Sequence, residues 1–146
     1  MKLVVDTNVL FSFFKKESKT RRLILNFEIL EPVTPSFCTV TPSFCIDELN
    51  EHKELICEKS KLSDRESEEA LDDLLIFVKV FSLSEYKEFL PDAKTISPDP
   101  DDIDLFALAL KLNCPIWAQE KAFKKQSRVK VFATSDLISF LSETRP

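Results

Sequence analysis

The sequence predicts an α/β fold in which a parallel sheet is covered by helices on both faces. Three observations lead there. Leu3-Val4-Val5 is an apolar, β-branched run without the alternation of a strand that faces water on one side, so it reads as a central strand buried on both faces. Segments of strand character then alternate with segments of helical period along the whole chain. The chain has 146 residues, 44% hydrophobic and 31% charged, which suits one ordinary domain spanning residues 1–146 with a single core.

Taken in order, residues 3–5 form the first strand, 9–14 a short helix, and 19–27 a second helix with Leu23, Ile24 and Phe27 on one side. Residues 29–34 read as the second strand. A helix follows over 43–58, with Phe44, Leu49, Leu55 and Ile56 apolar. Ser63 opens another, which runs to Phe77, because Glu66 three residues on completes a capping box. Residues 78–81 form a short strand, and 84–90 a helix that stops at Pro91. Ser97-Pro98-Asp99-Pro100-Asp101-Asp102 is a stiff acidic approach to an apolar helix over 103–112, with a proline and carboxylates suited to its N-terminus. Residues 115–118 and 129–132 read as strands, 120–125 as a brief helix, and 134–142 as a closing helix.

Val33-Thr34-Pro35-Ser36-Phe37-Cys38-Thr39 is followed at once by Val40-Thr41-Pro42-Ser43-Phe44-Cys45, a tandem repeat with a period of seven residues. Seven is odd, so a strand shifted by one copy would turn its inward face outward. The second copy is expected to lead into the helix carrying Glu48, while the first lengthens the strand or bulges as a loop.

Composition excludes several chemistries. Glycine is absent, and neither a GxGxxG dinucleotide turn, a Walker phosphate loop nor a GxSxG nucleophile elbow can be built without it. One histidine, His52, leaves little room for Ser-His or Cys-His catalysis. Cys38, Cys45, Cys57 and Cys114 show no CxxC spacing and read as reduced, buried thiols of a cytoplasmic protein. No apolar run approaches the ~18 residues that span a bilayer, and Lys2 and Asp6 replace the pattern of a signal peptide, so neither membrane nor export is expected. The net charge is −5, yet five bases fall within 15–22, and Lys121, Lys124, Lys125, Arg128 and Lys130 fall in a stretch without acids. Each run reads either as a grip on a phosphate backbone or as a solvated face.

Carboxylates remain. Asp6 ends the first strand, Glu48 lies in the first half of a helix, Asp102 stands at a helix start, and Glu120 follows the strand at Ile116. Strand ends and helix starts share one edge of a parallel sheet, so these acids can converge. Their repulsion is relieved by proton uptake or by a divalent cation, and hard oxygen donors select Mg²⁺ or Mn²⁺ over zinc. Asp101 is a candidate auxiliary ligand, Asp99 caps a turn, Asp104 is expected to meet solvent or a base, and Asp47 lies about 100° away from Glu48. Asn8 either orients Asp6 or caps the helix after it. Trp117 and the phenylalanines read as core.

Val4-Val5-Asp6-Thr7-Asn8-Val9-Leu10, Ile46-Asp47-Glu48-Leu49, Asp99-Pro100-Asp101-Asp102 before Phe106-Ala107-Leu108-Ala109-Leu110, and Pro115-Ile116-Trp117-Ala118-Gln119-Glu120-Lys121-Ala122-Phe123 together resemble the PIN domain family of ribonucleases over nearly the whole chain. The resemblance implies a three-layer α/β/α sandwich with a central parallel sheet of four to five strands, and metal-dependent cleavage of RNA. It also implies an antitoxin partner if the protein is the toxin of a toxin–antitoxin pair, and a homodimer. Asp6, Glu48 and Asp102 match the family's first three acids. Glu120 stands where the family has aspartate, and Ala118 where it has a hydroxyl residue. Asp6, Glu48, Asp102 and Glu120, with Asp101, are the expected ligands of Mg²⁺ or Mn²⁺, while Asn8, Lys121, Lys124, Lys125 and Arg128 are expected to hold the substrate. Two rival readings stand beside it. A phosphotransferase of the haloacid dehalogenase type needs Asp-x-Asp, and Asn8 stands at the second position. A PIN-like module that binds RNA or protein but cuts weakly is the alternative that Glu120 and Ala118 leave open.

Overall fold

The computed structural model describes residues 1–29 and 38–144. Its centre is a five-stranded parallel sheet in the order β3-β2-β1-β4-β5. The strands are β1 (Lys2–Val5), β2 (Cys38–Pro42), β3 (Val78–Phe81), β4 (Ile116–Trp117) and β5 (Val131–Phe132). The opening strand is central, as its composition predicts: Val4 pairs with Val40 on one side and Ile116 on the other, and Leu3, Val4 and Val5 are wholly buried. Two threonines tie β2 to its surroundings, Thr41 Oγ1 donating to Val5 O at 2.9 Å and Thr39 Oγ1 to Phe77 O at 2.8 Å.

Helices α1 (Thr7–Phe13) and α2 (Lys19–Ile29) follow β1, and α3 (Ser43–Glu51), α4 (Lys53–Ser60) and α5 (Asp64–Phe77) lie between β2 and β3. Between β3 and β4 come α6 (Leu83–Tyr86), α7 (Leu90–Ile96) and α8 (Ile103–Leu112), and α9 (Thr134–Thr144) closes the described chain. From β1 the strand order runs outward to β3 and then jumps back past β1 to β4. Right-handed crossovers therefore place α1–α5 on one face and α6–α8 on the other. The contacts follow this division, α1 meeting α2 and α3 while α8 meets α6 and α7. Helix α8 also packs on β1, β2 and β4, so Leu105 to Ala109 are all buried, as a helix apolar all round requires.

Several boundaries differ from the sequence expectation. Ile29 ends α2 rather than beginning a strand, and residues 30–34 of the predicted strand lie outside the described residues. The second strand instead joins the end of the first repeat, Cys38-Thr39, to Val40-Thr41-Pro42 of the second, whose Ser43 opens α3. The second copy thus leads into the helix of Glu48 as expected. The single helix expected over 43–58 is two, parted at His52, which ends α3 and begins α4 with φ −104° and ψ 21°. Pro91 does not stop a helix; it stands in the first turn of α7, where its missing N–H costs nothing. Cys45 is buried, but Cys38 is exposed, contrary to the expectation of buried thiols throughout.

The first basic run, residues 15–22, is largely exposed. Lys16 pairs with Glu66 at 3.4 Å and Arg21 with Asp73 at 3.9 Å, both acids on α5, and the Arg21 guanidinium lies 4.9 Å from the centre of the Phe13 ring. Trp117 is core, wholly buried with Nε1–H donating to Thr134 Oγ1 at 3.0 Å.

Candidate active site

In an open parallel sheet the ligand crevice forms at the C-terminal edge, where the strand order reverses, and here that point is β1 beside β4. Asp6 is the first residue past β1. Its N–H donates to Trp117 O at 3.1 Å, which closes the β1–β4 pairing, and its carbonyl accepts from Val9 and Leu10 N–H to start α1. Its side chain caps the helix: Oδ1 accepts from Thr7 N–H at 2.7 Å. One buried carboxylate therefore joins sheet and helix.

Thr7 reaches the second acid. Its hydroxyl donates to Glu48 Oε1 at 2.7 Å, linking the start of α1 to the middle of α3. Asp102 arrives from the opposite helical layer, at the end of the 3₁₀ turn Pro100–Asp102 that leads into α8. Asp99 caps that turn as expected, its Oδ1 accepting from Asp101 N–H at 2.9 Å. Asp6, Glu48 and Asp102 thereby line one cleft of about 370 Å³, together with Thr7, Asn8, Phe11, His52, Leu55 and Lys59.

The electrostatics are those of crowded acids. Burial, opposed by the Thr7 N–H, pushes the Asp6 carboxyl up to about 6, with Glu48 and Glu120 adding repulsion. Asp102 is pushed up to about 7, chiefly by burial and then by the charges of Asp6, Asp99, Glu120 and Asp101. Among the described residues none of Asp6, Glu48, Asp102 and Glu120 forms an ion pair. Behind them the Cys45 thiol is pushed up to about 12 by burial, so it stays a protonated, unreactive packing group.

The other predicted residues fall into place around this centre. Glu120 is exposed, does not line the cleft, and acts on it by charge; Asp101 is exposed beside Asp102. Asn8 lines the cleft, but the bond that orients Asp6 comes from Thr7 N–H. Asp104 accepts from the Tyr86 hydroxyl at 2.6 Å instead of meeting solvent or a base, and Asp47 is exposed and outside the cleft. Lys121 and Lys125 are exposed on the turn after Glu120, while Lys124 pairs with Asp136. Arg128 pairs with Asp92 at 4.0 Å and lines a second cleft with Asn113, Cys114 and Pro115, on the side where β4 begins rather than where it ends. Missing from the sequence reading were Thr7, Phe11, His52, Leu55 and Lys59. Their signal was helical spacing: Phe11 is one turn beyond Thr7, and His52, Leu55 and Lys59 follow Glu48 by 4, 7 and 11 residues.

Among the described residues, no three His, Cys, Asp or Glu side chains are grouped closely enough to hold a metal ion as they stand. The donor set nevertheless fits a hard divalent cation. Three carboxylates face one cleft, two of them resist ionisation, and no base in ion-pair contact neutralises them.

A family model described as PIN domain matches residues 4–135. Among solved structures, a chain of VapBC2 from Rickettsia felis, bound to a DNA fragment from its promoter, is similar with a TM-score of 0.67 and 15% identity, covering 91% of this chain and 98% of that one. A chain of VapBC-1 from nontypeable Haemophilus influenzae is similar with a TM-score of 0.61 and 18% identity, covering 92% and 99%. At these identities the likeness is one of fold. No curated protein matches the chain. Among the described residues, no helix is long and apolar enough to cross a membrane.

Proposed function

The chain belongs to the PIN domain family, and from that premise we propose that it is a metal-dependent endoribonuclease, the toxin of a toxin–antitoxin pair. The observation that carries the reading is the convergence of Asp6, Glu48 and Asp102, from three separate elements, on one cleft at the sheet's switch point. Mg²⁺ or Mn²⁺ held by these three, with Glu120 and Asp101 at the margin, supplies a Lewis acid for hydrolysis of a phosphodiester. The chain's own residues prepare the site. The sheet edge and the Thr7 N–H fix Asp6, the Thr7 hydroxyl fixes one oxygen of Glu48, and the rigid Pro100 turn presents Asp102. Lys121 and Lys125, exposed just past Glu120, draw in the phosphate backbone despite the net charge of −5.

The test is incubation of purified protein with single-stranded and structured RNAs in Mg²⁺ or Mn²⁺. Cleavage is expected, to be lost with a chelator and in Asp6→Asn. No cleavage of any RNA, together with no divalent-ion binding by calorimetry, overturns the reading. Induced expression in a bacterial host tests the toxin assignment: growth is expected to stop with the wild type and continue with Asp6→Asn. The VapBC neighbours support an antitoxin partner, to be sought by co-purification with the product of the adjacent gene. Leu75, Ile76, Val80 and Leu83, exposed around edge strand β3, support a homodimer, to be tested by sedimentation against the 16.8 kDa of one chain.

A second reading, a module that binds RNA or protein and cuts weakly, is favoured by the lack of a ready three-ligand group among the described residues. It predicts RNA binding that persists without turnover at any Mn²⁺ concentration.

A further inference from the structure

A second cleft, of about 380 Å³, opens at the edge of the sheet away from the carboxylates, where β4 and β5 begin. Its volume falls within the ~300–1,000 Å³ of small-ligand sites. The end of α8 and the turn after it form one wall, with Leu110, Asn113, Cys114 and Pro115, and Arg128-Val129-Lys130 form the other. Among the described residues no acidic side chain lines it, while two cations do. Arg128 is held weakly, since its pair with Asp92 is 4.0 Å long and more than half exposed on both sides. Lys130 is exposed, with its ammonium 5.0 Å from the centre of the Phe132 ring. One side chain fixes the loop that carries both: the Gln126 amide donates to Phe123 O at 2.8 Å and Val129 O at 2.7 Å, and accepts from Val129 N–H at 2.8 Å. The negative end of α8 is muted, because Asn113 N–H donates to Leu110 O at 3.3 Å and Cys114 N–H to Ala109 O at 3.1 Å. Burial pushes the Cys114 thiol up to about 11, against a bond from the Val4 backbone and the charge of Lys2, so the thiol adds no negative charge. The cleft is therefore positive, and its cations are presented on fixed backbone.

We propose that this second cleft binds a small phosphate monoester with an organic body, of the size of a nucleoside 5′-monophosphate, Arg128 and Lys130 taking the phosphate and Asn113 the body. The guanidinium fork matches two phosphate oxygens, and the ammonium adds a point charge for a third. Leu110, Pro115 and Val129 give the rest of the cleft an apolar lining, which a bare phosphate ion leaves unused and an organic body covers. Asn113 is exposed at the rim, and its amide both donates and accepts, as the edge of a base or sugar requires. A nucleic-acid chain fits less well. Its run of phosphates needs a run of cations, and the lining has two with Asp92 beside them. The site stands at the opposite edge of the sheet from Asp6 and does not rest on the nuclease reading.

The test is calorimetric titration of the purified protein in chelator, which keeps a metal from bridging phosphate to the carboxylate cleft, at about pH 7.5, where a monoester carries close to two charges. The probes are adenosine 5′-monophosphate, inorganic phosphate and adenosine. The monophosphate is expected to saturate one site about tenfold more tightly than inorganic phosphate, the share of some 50 Å² of apolar burial, with adenosine weaker than the monophosphate by a similar factor. Arg128→Gln is expected to weaken the monophosphate about tenfold and Lys130→Gln about fivefold, as loss of a charge-assisted hydrogen bond does. Asn113→Gly keeps the left-handed turn and removes the amide, so it should weaken the monophosphate about threefold and leave inorganic phosphate unchanged. Asp92→Asn releases Arg128 and should tighten binding about twofold. Lys59→Gln removes a cation from the carboxylate cleft and serves as the reference. All five substituted side chains are exposed, so each variant keeps the fold. No saturable binding of the monophosphate at millimolar concentration overturns the site, as does an Arg128→Gln affinity equal to that of Lys59→Gln. Inorganic phosphate binding as tightly as the monophosphate overturns the assignment of an organic body. None of these outcomes bears on RNA cleavage, which stands or falls by its own test.

Discussion

Thr7 holds two acids by two different atoms: its N–H fixes Asp6 at 2.7 Å and its hydroxyl fixes Glu48 at 2.7 Å. Valine in its place keeps the shape and the N–H but leaves Glu48 free to turn. Thr7→Val is therefore expected to lower kcat for RNA cleavage by tenfold or more, on the order of the loss of a charge-assisted hydrogen bond, with KM little changed. Thr7→Ser should keep most of the rate, and steady-state kinetics on one labelled RNA separates the two. Asp6 carries an energetic cost. Its carboxyl is harder to ionise folded, at about 6, than at its ordinary 3.8, so folding opposes its charge. The penalty is absent below 3.8, grows as pH rises, and is complete above about 6, where it reaches about 3 kcal/mol at most. Asp6→Asn keeps a capping oxygen for Thr7 N–H and removes the charge. Urea denaturation in chelator should show it more stable than the wild type at pH 8, with the advantage gone near pH 4. An Asp6→Asn protein that is less stable at pH 8 would contradict the account.

Helix ends show how a chain without glycine manages positions where glycine is usual. Lys61 closes α4 and Asn113 closes α8 in the left-handed region, at φ 56° and 49°. Asparagine tolerates that region; lysine bears the Cβ clash, about 1 kcal/mol. Lys61→Gly removes the clash, less the entropy that glycine adds to the unfolded chain, and is expected to stabilise the protein by about 0.5 kcal/mol, read as a rise in urea midpoint at unchanged m-value. Element by element, legibility followed how local the deciding interaction is. The Ser63–Glu66 capping box is written within four residues and forms as read, with Ser63 N–H donating to Glu66 Oε1 at 3.1 Å and Glu66 N–H to Ser63 Oγ at 3.1 Å. Helix α8 and strand β1 were equally plain, because burial on all sides leaves an unbroken apolar run. Strand β2 was not, since the repeat offers two near-identical segments and only pairing with Leu3 and Val4 distinguishes them. The parting at His52 has neither proline nor glycine to announce it. At the site, Asp6 and Asp102 were legible as charges at element boundaries and Glu48 as an acid on the helix after the repeat, whereas Leu55 and Lys59 share Glu48's helical spacing but are placed in the cleft by the path of α4 relative to α1, which is tertiary information.

At the scale of the molecule, the sheet order concentrates repulsion at one edge. The chain runs outward from β1 through β2 to β3 and then jumps back past β1 to β4, which puts the ends of β1 and β4 side by side, with helices of both layers starting above them. Acids distant in sequence are thus forced together by topology, while the remaining surface pairs are spread over helices and exposed, worth little each. The fold should therefore respond to divalent cations far more than to ionic strength. An ion bound only by the folded protein stabilises it by RT ln(1 + [L]/Kd), about 1 kcal/mol at five times Kd, which for a domain of this size raises Tm by about 3 °C. Trp117 supplies the reporter: it is the single tryptophan, wholly buried, and its carbonyl accepts the Asp6 N–H. Thermal unfolding followed by its fluorescence should shift upward by a few degrees in millimolar Mn²⁺, with KCl at equal ionic strength giving a much smaller shift. Asp6→Asn and Asp102→Asn should each begin from a higher Tm in chelator and lose most of the Mn²⁺ response, because the charge that destabilises the ion-free fold is the charge that binds the ion. Asp136→Asn, whose native partner is Lys124, should behave oppositely, starting lower and keeping the full response. Equal Mn²⁺ shifts in the wild type and Asp6→Asn would mean that the cation binds elsewhere and that the carboxylate edge is not the metal site.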